Sequence, residues 1–101
     1  MCTSIIEITS VEGMGKGQSA WFDVTRAVVS YDHPHHAQYA DSINIDFLNP
    51  ALGPSARTAV EISLESAKRL SLALQKAVAA AEAEEQAAAA WRHPPPTRQP
   101  R

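Results

Sequence analysis

The chain has 101 residues, one domain's worth, and its 45% apolar share is swollen by alanine with only 6% aromatics, so its core is thin and an oligomer interface would help complete it. A net charge of −2 gives no electrostatic basis for binding nucleic acid. The single cysteine, Cys2, excludes an internal disulfide and a zinc-finger ligand set, and no apolar run approaches the roughly 20 residues that span a bilayer.

The opening stretch "MCTSIIEITS" has no basic region leading into an apolar one, so it is not read as a signal peptide, and a cytoplasmic protein is expected. "TSIIEITSV" (3–11) is β-branched and predicts a first strand, with Ile6 and Ile8 on one face and Glu7 on the other. "EGMGKGQ" (12–18) holds three glycines and predicts a hairpin loop. "WFDVTRAVVSYD" (21–32) predicts a second strand. "HPHHAQYAD" (33–41) predicts a loop, because Pro34 cannot sit in a central strand. "SINIDFL" (42–48) alternates cleanly, with Ile43, Ile45 and Phe47 against Ser42, Asn44 and Asp46. "NPALGPS" predicts a turn, and "RTAVEIS" (57–63) a fourth strand with Val60 and Ile62 inward.

A helix then begins, with Ser63 as its N-cap and Glu65 in the first turn against the positive end of the dipole. Ala67, Leu70, Leu74, Ala77, Val78 and Ala81 form a stripe at helical spacing. Good helix formers carry it to about Trp91, where His93 and the following prolines stop it. The expected fold is α+β: a four-stranded antiparallel meander, β-β-β-β-α, with one long C-terminal helix packed on one face. Residues 1–92 form the domain and 93–101 a flexible proline-rich tail.

Pairing Tyr31, Val29 and Ala27 with Ile43, Ile45 and Phe47 collects six apolar positions on one face. Arg26, Val28, Ser30 and Asp32 then lie beside Ser42, Asn44 and Asp46 on a polar face, where Glu7 is also expected. A helix from Leu64 to Trp91 is about 40 Å long, against strands of roughly 20 Å. Either it frays after about Ala81 or a second subunit receives it, and a homodimer is the expectation.

Three of the four histidines crowd the second loop. The spacings His33-x-x-His36 and His33-x-His35 each suit two nitrogens on one ion, and two histidines with a carboxylate make a common zinc or iron site. Asp32 and Asp41 are near in sequence. Asp46, opposite Val28, is about 15 Å from the base of the loop, so it joins only if the loop folds back or another subunit supplies the histidines. A bland alternative is a wet loop with no ligand. Cys2 is a candidate nucleophile or metal ligand if Met1 is removed, and otherwise a small strand residue. "GMGKGQ" offers backbone amides and Lys16 to an anion but lacks the P-loop spacing, so a plain turn is the simpler reading. The polar face is either a substrate cleft or an ordinary wet sheet surface. The basic proline-rich end has the composition of a docking peptide or an unselected extension.

Taken together, "MCT" at the start, "GKG" followed by "WF", Asp32-His33-Pro34-x-His36, "NIDFLNP" (44–50) and "AVEI" with "SA" after it resemble a family of small bacterial proteins, chiefly actinobacterial, with no known activity. The resemblance covers residues 1 to about 75. It favours His33 and His36 over His35, and it includes Asn44, Asp46 and Cys2. The alanine- and proline-rich end departs from it.

Two functions are therefore expected in competition. One is a small metal-dependent or acid–base enzyme acting on a small molecule. His33 and His36 with Asp46 would hold a divalent zinc or iron, or one of the two histidines, His33 first, would act as a base with Asp46 or Glu7 as carboxylate partner and Asn44 orienting or polarising the substrate. The other is a non-catalytic homodimer that binds a small ligand or protein through its polar face.

Overall fold

The computed structural model describes residues 5–92; Cys2 and the proline-rich tail lie outside them. The chain divides into two compact units, Met1–Ala67 and Lys68–Arg101. The first holds four strands, β1 (Ile5–Lys16), β2 (Trp21–Asp32), β3 (Ser42–Leu48) and β4 (Arg57–Ile62), with a short 3-10 turn at Pro50–Leu52. They form one antiparallel sheet in the order β1-β2-β3-β4, so each strand pairs with its neighbour in sequence. The helix α1 (Leu64–Arg92) follows, which completes the α+β order read from the sequence.

The β2–β3 register is the one the alternation dictates. Ala27, Val29 and Tyr31 pair with Phe47, Ile45 and Ile43, and Ser30 and Val28 pair with Asn44 and Asp46. On β4, Val60 pairs with Ile45 and Ile62 with Ile43, extending the apolar face, while Glu61 pairs with Asn44 on the polar one.

β1 departs from expectation in two ways. It runs through Lys16, so the glycine-rich segment is strand rather than loop, and the turn is Gly17–Ala20, closed by a Gly17 N–H to Ala20 carbonyl bond of 2.8 Å. The glycine at position 15 has a packing reason, since a Cβ there would lie 2.8 Å from Val24 Cγ2. The second departure is a β-bulge between Ser10 and Gly13, which sets two β1 residues, Val11 and Glu12, against the single Thr25 on β2. The ladder starting at Lys16↔Trp21 would otherwise carry Glu7 opposite Ser30, on the polar face. The extra residue reverses the parity, so Glu7 pairs with Val29 on the apolar face, and Ile6 and Ile8 pair with Ser30 and Val28. Glu7 is therefore no member of the polar face.

The core is thin, as the composition implies. Among the described residues, the buried apolar side chains are Val24, Ala27 and Ala56. A buried amide does much of the fastening. Asn49 Nδ2 donates to the Asp23 carbonyl at 3.0 Å, its Oδ1 accepts from the Ala51 N–H at 3.1 Å, and its own N–H donates to the Ala56 carbonyl at 3.1 Å. One residue thus joins β2, the 3-10 turn and the entry to β4. At Gly53 the φ of +93° closes that turn in the left-handed region glycine tolerates.

Ser63 caps the helix as expected: its Oγ accepts the Ser66 N–H at 3.1 Å and its carbonyl the Ala67 N–H at 2.9 Å. The helix does not fray after Ala81 but continues to Arg92. None of its residues is buried, and Leu70, Leu74 and Val78 of the stripe are about half exposed or more (49%, 63% and 48%). It is not long and apolar enough to cross a membrane.

Candidate functional site

The polar side of the sheet carries a cleft of about 1030 Å³. Its floor comes from three strands: Ser30 and Asp32 on β2, Asn44 and Asp46 on β3, and Arg57, Ala59, Val60 and Glu61 on β4. Its other wall is the β2–β3 loop, through His33, His35, His36 and Ala37. The loop and the strand residues, Asp46 among them, therefore line one cleft.

Glu61 makes the fold-back possible. Its Oε2 accepts the backbone N–H of His35 at 2.6 Å, and its Oε1 accepts those of His36 and Ala37 at 2.7 and 3.0 Å. Three consecutive amides pointing at one anion form a nest. His36 Nδ1 stands 3.6 Å from the same Oε1. These contacts stabilise the ionised carboxyl, led by the His35 amide, and hold Glu61 below the ordinary carboxylate value.

His33 is held by its own loop. Its N–H donates to Asp32 Oδ1 at 2.7 Å, shaping the exit from β2. Its Nδ1 lies 3.1 Å from the Ala40 carbonyl and 3.2 Å from Asp41 Oδ1. A carbonyl can only accept, so Nδ1 carries the hydrogen and Nε2 is the basic nitrogen of the neutral ring. The bond to Ala40 and then the charge of Asp41 raise the imidazole above its ordinary value; desolvation opposes them, and the charge of Asp32 adds the least. The ring is well exposed, with 67% of the side chain open to solvent.

Asn44 and Asp46 are each oriented by a neighbour. The fully buried Ser42 donates its hydroxyl to Asn44 Oδ1 at 2.6 Å, which orients the amide and leaves its Nδ2 hydrogens outside this bond. Asp46 Oδ1 accepts from both Nε and Nη2 of Arg57, each at 2.6 Å, leaving Oδ2 outside this pair.

Of the expected metal trio, His33 turns its Nδ1 to Ala40 and Asp41, His36 faces Glu61, and Asp46 is paired with Arg57. Among the described residues no group of three or more His, Cys, Asp or Glu side chains is placed to hold a metal ion. Three participants were missed by the sequence reading as site residues: Glu61, Arg57 and Ser42. Extending the β2–β3 register one strand further, through Val60 opposite Ile45, sets Glu61 beside Asn44 and was the available signal for it.

A model of a family of unknown function, DUF6295, matches residues 1–88, and the chain belongs to that family. Neither the curated proteins nor the solved structures compared with the chain contain a match.

Proposed function

We propose that this DUF6295 member carries out acid–base chemistry on a small polar molecule bound in the cleft beneath its histidine loop, with His33 as the proton-transfer group. The observation that carries the reading is the hold on His33 Nδ1 by the Ala40 carbonyl and Asp41. That arrangement fixes one tautomer and steadies the imidazolium, so Nε2 can take up and return a proton at a defined place. The same contacts raise the His33 imidazole above its ordinary value, which favours the protonated ring that a proton carrier must pass through.

The floor supplies recognition. Asn44 Nδ2 offers two donors, Asp46 Oδ2 an acceptor and Ser30 a hydroxyl, all beside one another on β2 and β3. No Phe, Tyr or Trp among the described residues lines the cleft, so a polar ligand held by hydrogen bonds fits it better than a stacked aromatic one. Three carboxylates line it with one arginine, so a neutral or cationic ligand fits better than a strongly anionic one.

Among the described residues no group of three or more His, Cys, Asp or Glu side chains is placed to share one ion, so the metal-free chemistry is preferred. Elemental analysis of untagged protein separates the two: stoichiometric zinc or iron lost in His33→Ala would favour the metal reading. The acid–base reading is tested by screening neutral and cationic small polar compounds by NMR. It expects shifts at Ser30 and the Asn44 side chain, and turnover of a binding compound that His33→Gln abolishes without loss of fold. Binding compounds that are turned over equally by His33→Gln would sink it.

A second reading, a non-catalytic homodimer, draws on the exposed apolar side chains of β1. Ile5, Ile6 and Ile8 are 59%, 55% and 63% exposed on an edge strand. Sedimentation of the full chain tests the dimer, and ligand binding without any turnover would support the non-catalytic part. The single cysteine suits a reducing compartment, and we assign the protein to the cytoplasm.

A further inference from the structure

We infer that the tip of the histidine loop is a lid over the cleft and that Glu61 is its single latch, an inference that rests on the cleft being the working site. The loop is fastened in two places of different kinds. Its stem is shaped by His33, whose contacts to Asp32, Ala40 and Asp41 all lie within the loop or at its ends. Its tip, His35–Ala37, is fastened through three backbone N–H groups to one carboxylate on β4.

The convergence on one side chain has a kinetic consequence. Three hydrogen bonds to three acceptors can open one at a time. Three bonds to a single carboxylate open together when that side chain turns away, so the tip is either held or released as a unit. The carboxylate strengthens each bond through its charge. The ring of His36 is the titratable group that faces the latch from the loop, and the cross-strand neighbour of Glu61 on β3 is the neutral Asn44. Because His35, His36 and Ala37 form one wall of the cleft, releasing the tip uncovers Asn44 and Asp46, while the stem keeps His33 in its tautomer.

The test is amide hydrogen exchange by NMR on the full chain, in the wild type and in Glu61→Ala. The latch predicts that the amides of His35, His36 and Ala37 share one protection factor. In Glu61→Ala all three exchange faster by on the order of tenfold or more, while Ser30 and Ile45 in the β2–β3 ladder keep their rates. A soluble neutral gadolinium chelate should then relax the Asn44 side-chain amide more strongly in the variant. If Glu61→Ala does not fold, Glu61→Gln gives the same reading, since it keeps the shape but removes the charge. Dissimilar protection of the three amides in the wild type, or unchanged exchange in a folded variant, overturns the latch. The titration of His33 is independent of this result. A failed latch with a raised His33 leaves the proposed chemistry standing, and a holding latch with an ordinary His33 removes that chemistry.

Discussion

Glu61 Oε1 accepts the backbone N–H of His36 at 2.7 Å and stands 3.6 Å from the Nδ1 of the same residue. One carboxylate oxygen on β4 thus meets both the backbone and the ring of a loop residue 25 positions earlier in the chain. This relationship turns a wet hairpin loop into the wall of a cleft.

The first prediction concerns acid. The folded pKa of Glu61 is lowered from the ordinary 4.5, so the native state binds fewer protons than the unfolded chain between the two values. The contribution of Glu61 to stability is full above about 4.5 and is lost as pH falls through the lowered value. Denaturant midpoints measured from pH 3 to 7 should fall more steeply on the acid side in the wild type than in Glu61→Gln. Parallel acid limbs would remove Glu61 as a fastener of the loop.

His33 has the opposite sign. Its folded pKa is raised above 6.5, so its contribution is complete below that pH and disappears as pH rises through the raised value. In a comparison of wild type with His33→Gln, the stability difference should shrink from pH 6 toward pH 8. A difference that grows with pH contradicts the bonding described for Nδ1.

Ser42 is fully buried and its hydroxyl bonds Asn44 Oδ1. Ser42→Ala should lower stability by about 1 kcal/mol, since it leaves that oxygen without its donor. The Asn44 side-chain amide resonances should also broaden or shift, because the group that orients them is gone. Unmoved Asn44 signals would show that the amide is held by something else.

Gly15→Ala should cost roughly 1–3 kcal/mol. The added Cβ meets Val24 Cγ2 at 2.8 Å and Phe22 Cζ at 3.3 Å, and Val24 belongs to a core with few buried members. Gly13→Ala is the control, with nothing within 4 Å of its Cβ position. Equal thermal midpoints for the two variants would refute this account of the glycine-rich strand.

Much of the sheet was legible because alternation carries parity. Ile43, Ile45 and Phe47 against Asn44 and Asp46 left one register for β2 and β3, and it is the observed one. Glu7 was placed on the wrong face because a single bulged residue between Ser10 and Gly13 reverses that parity, and a bulge has no side-chain pattern of its own. Glu61 was overlooked for a different reason. Its partners are backbone amides, which every residue but proline carries, so no spacing in the sequence marks them. Asn44 and Asp46 were legible as polar positions, but not their tethers to Ser42 and Arg57, which depend on rotamers and on the pairing of β3 with β4.

The central claim is that His33 is a poised proton carrier, and the most direct measurement is an NMR titration of its imidazole nitrogens in wild type and Asp41→Asn. The account predicts hydrogen on Nδ1 in the neutral form, a pKa above 6.5, and a downward move in Asp41→Asn that leaves part of the elevation due to Ala40. A neutral ring protonated on Nε2, titrating at its ordinary value and indifferent to Asp41→Asn, would contradict it.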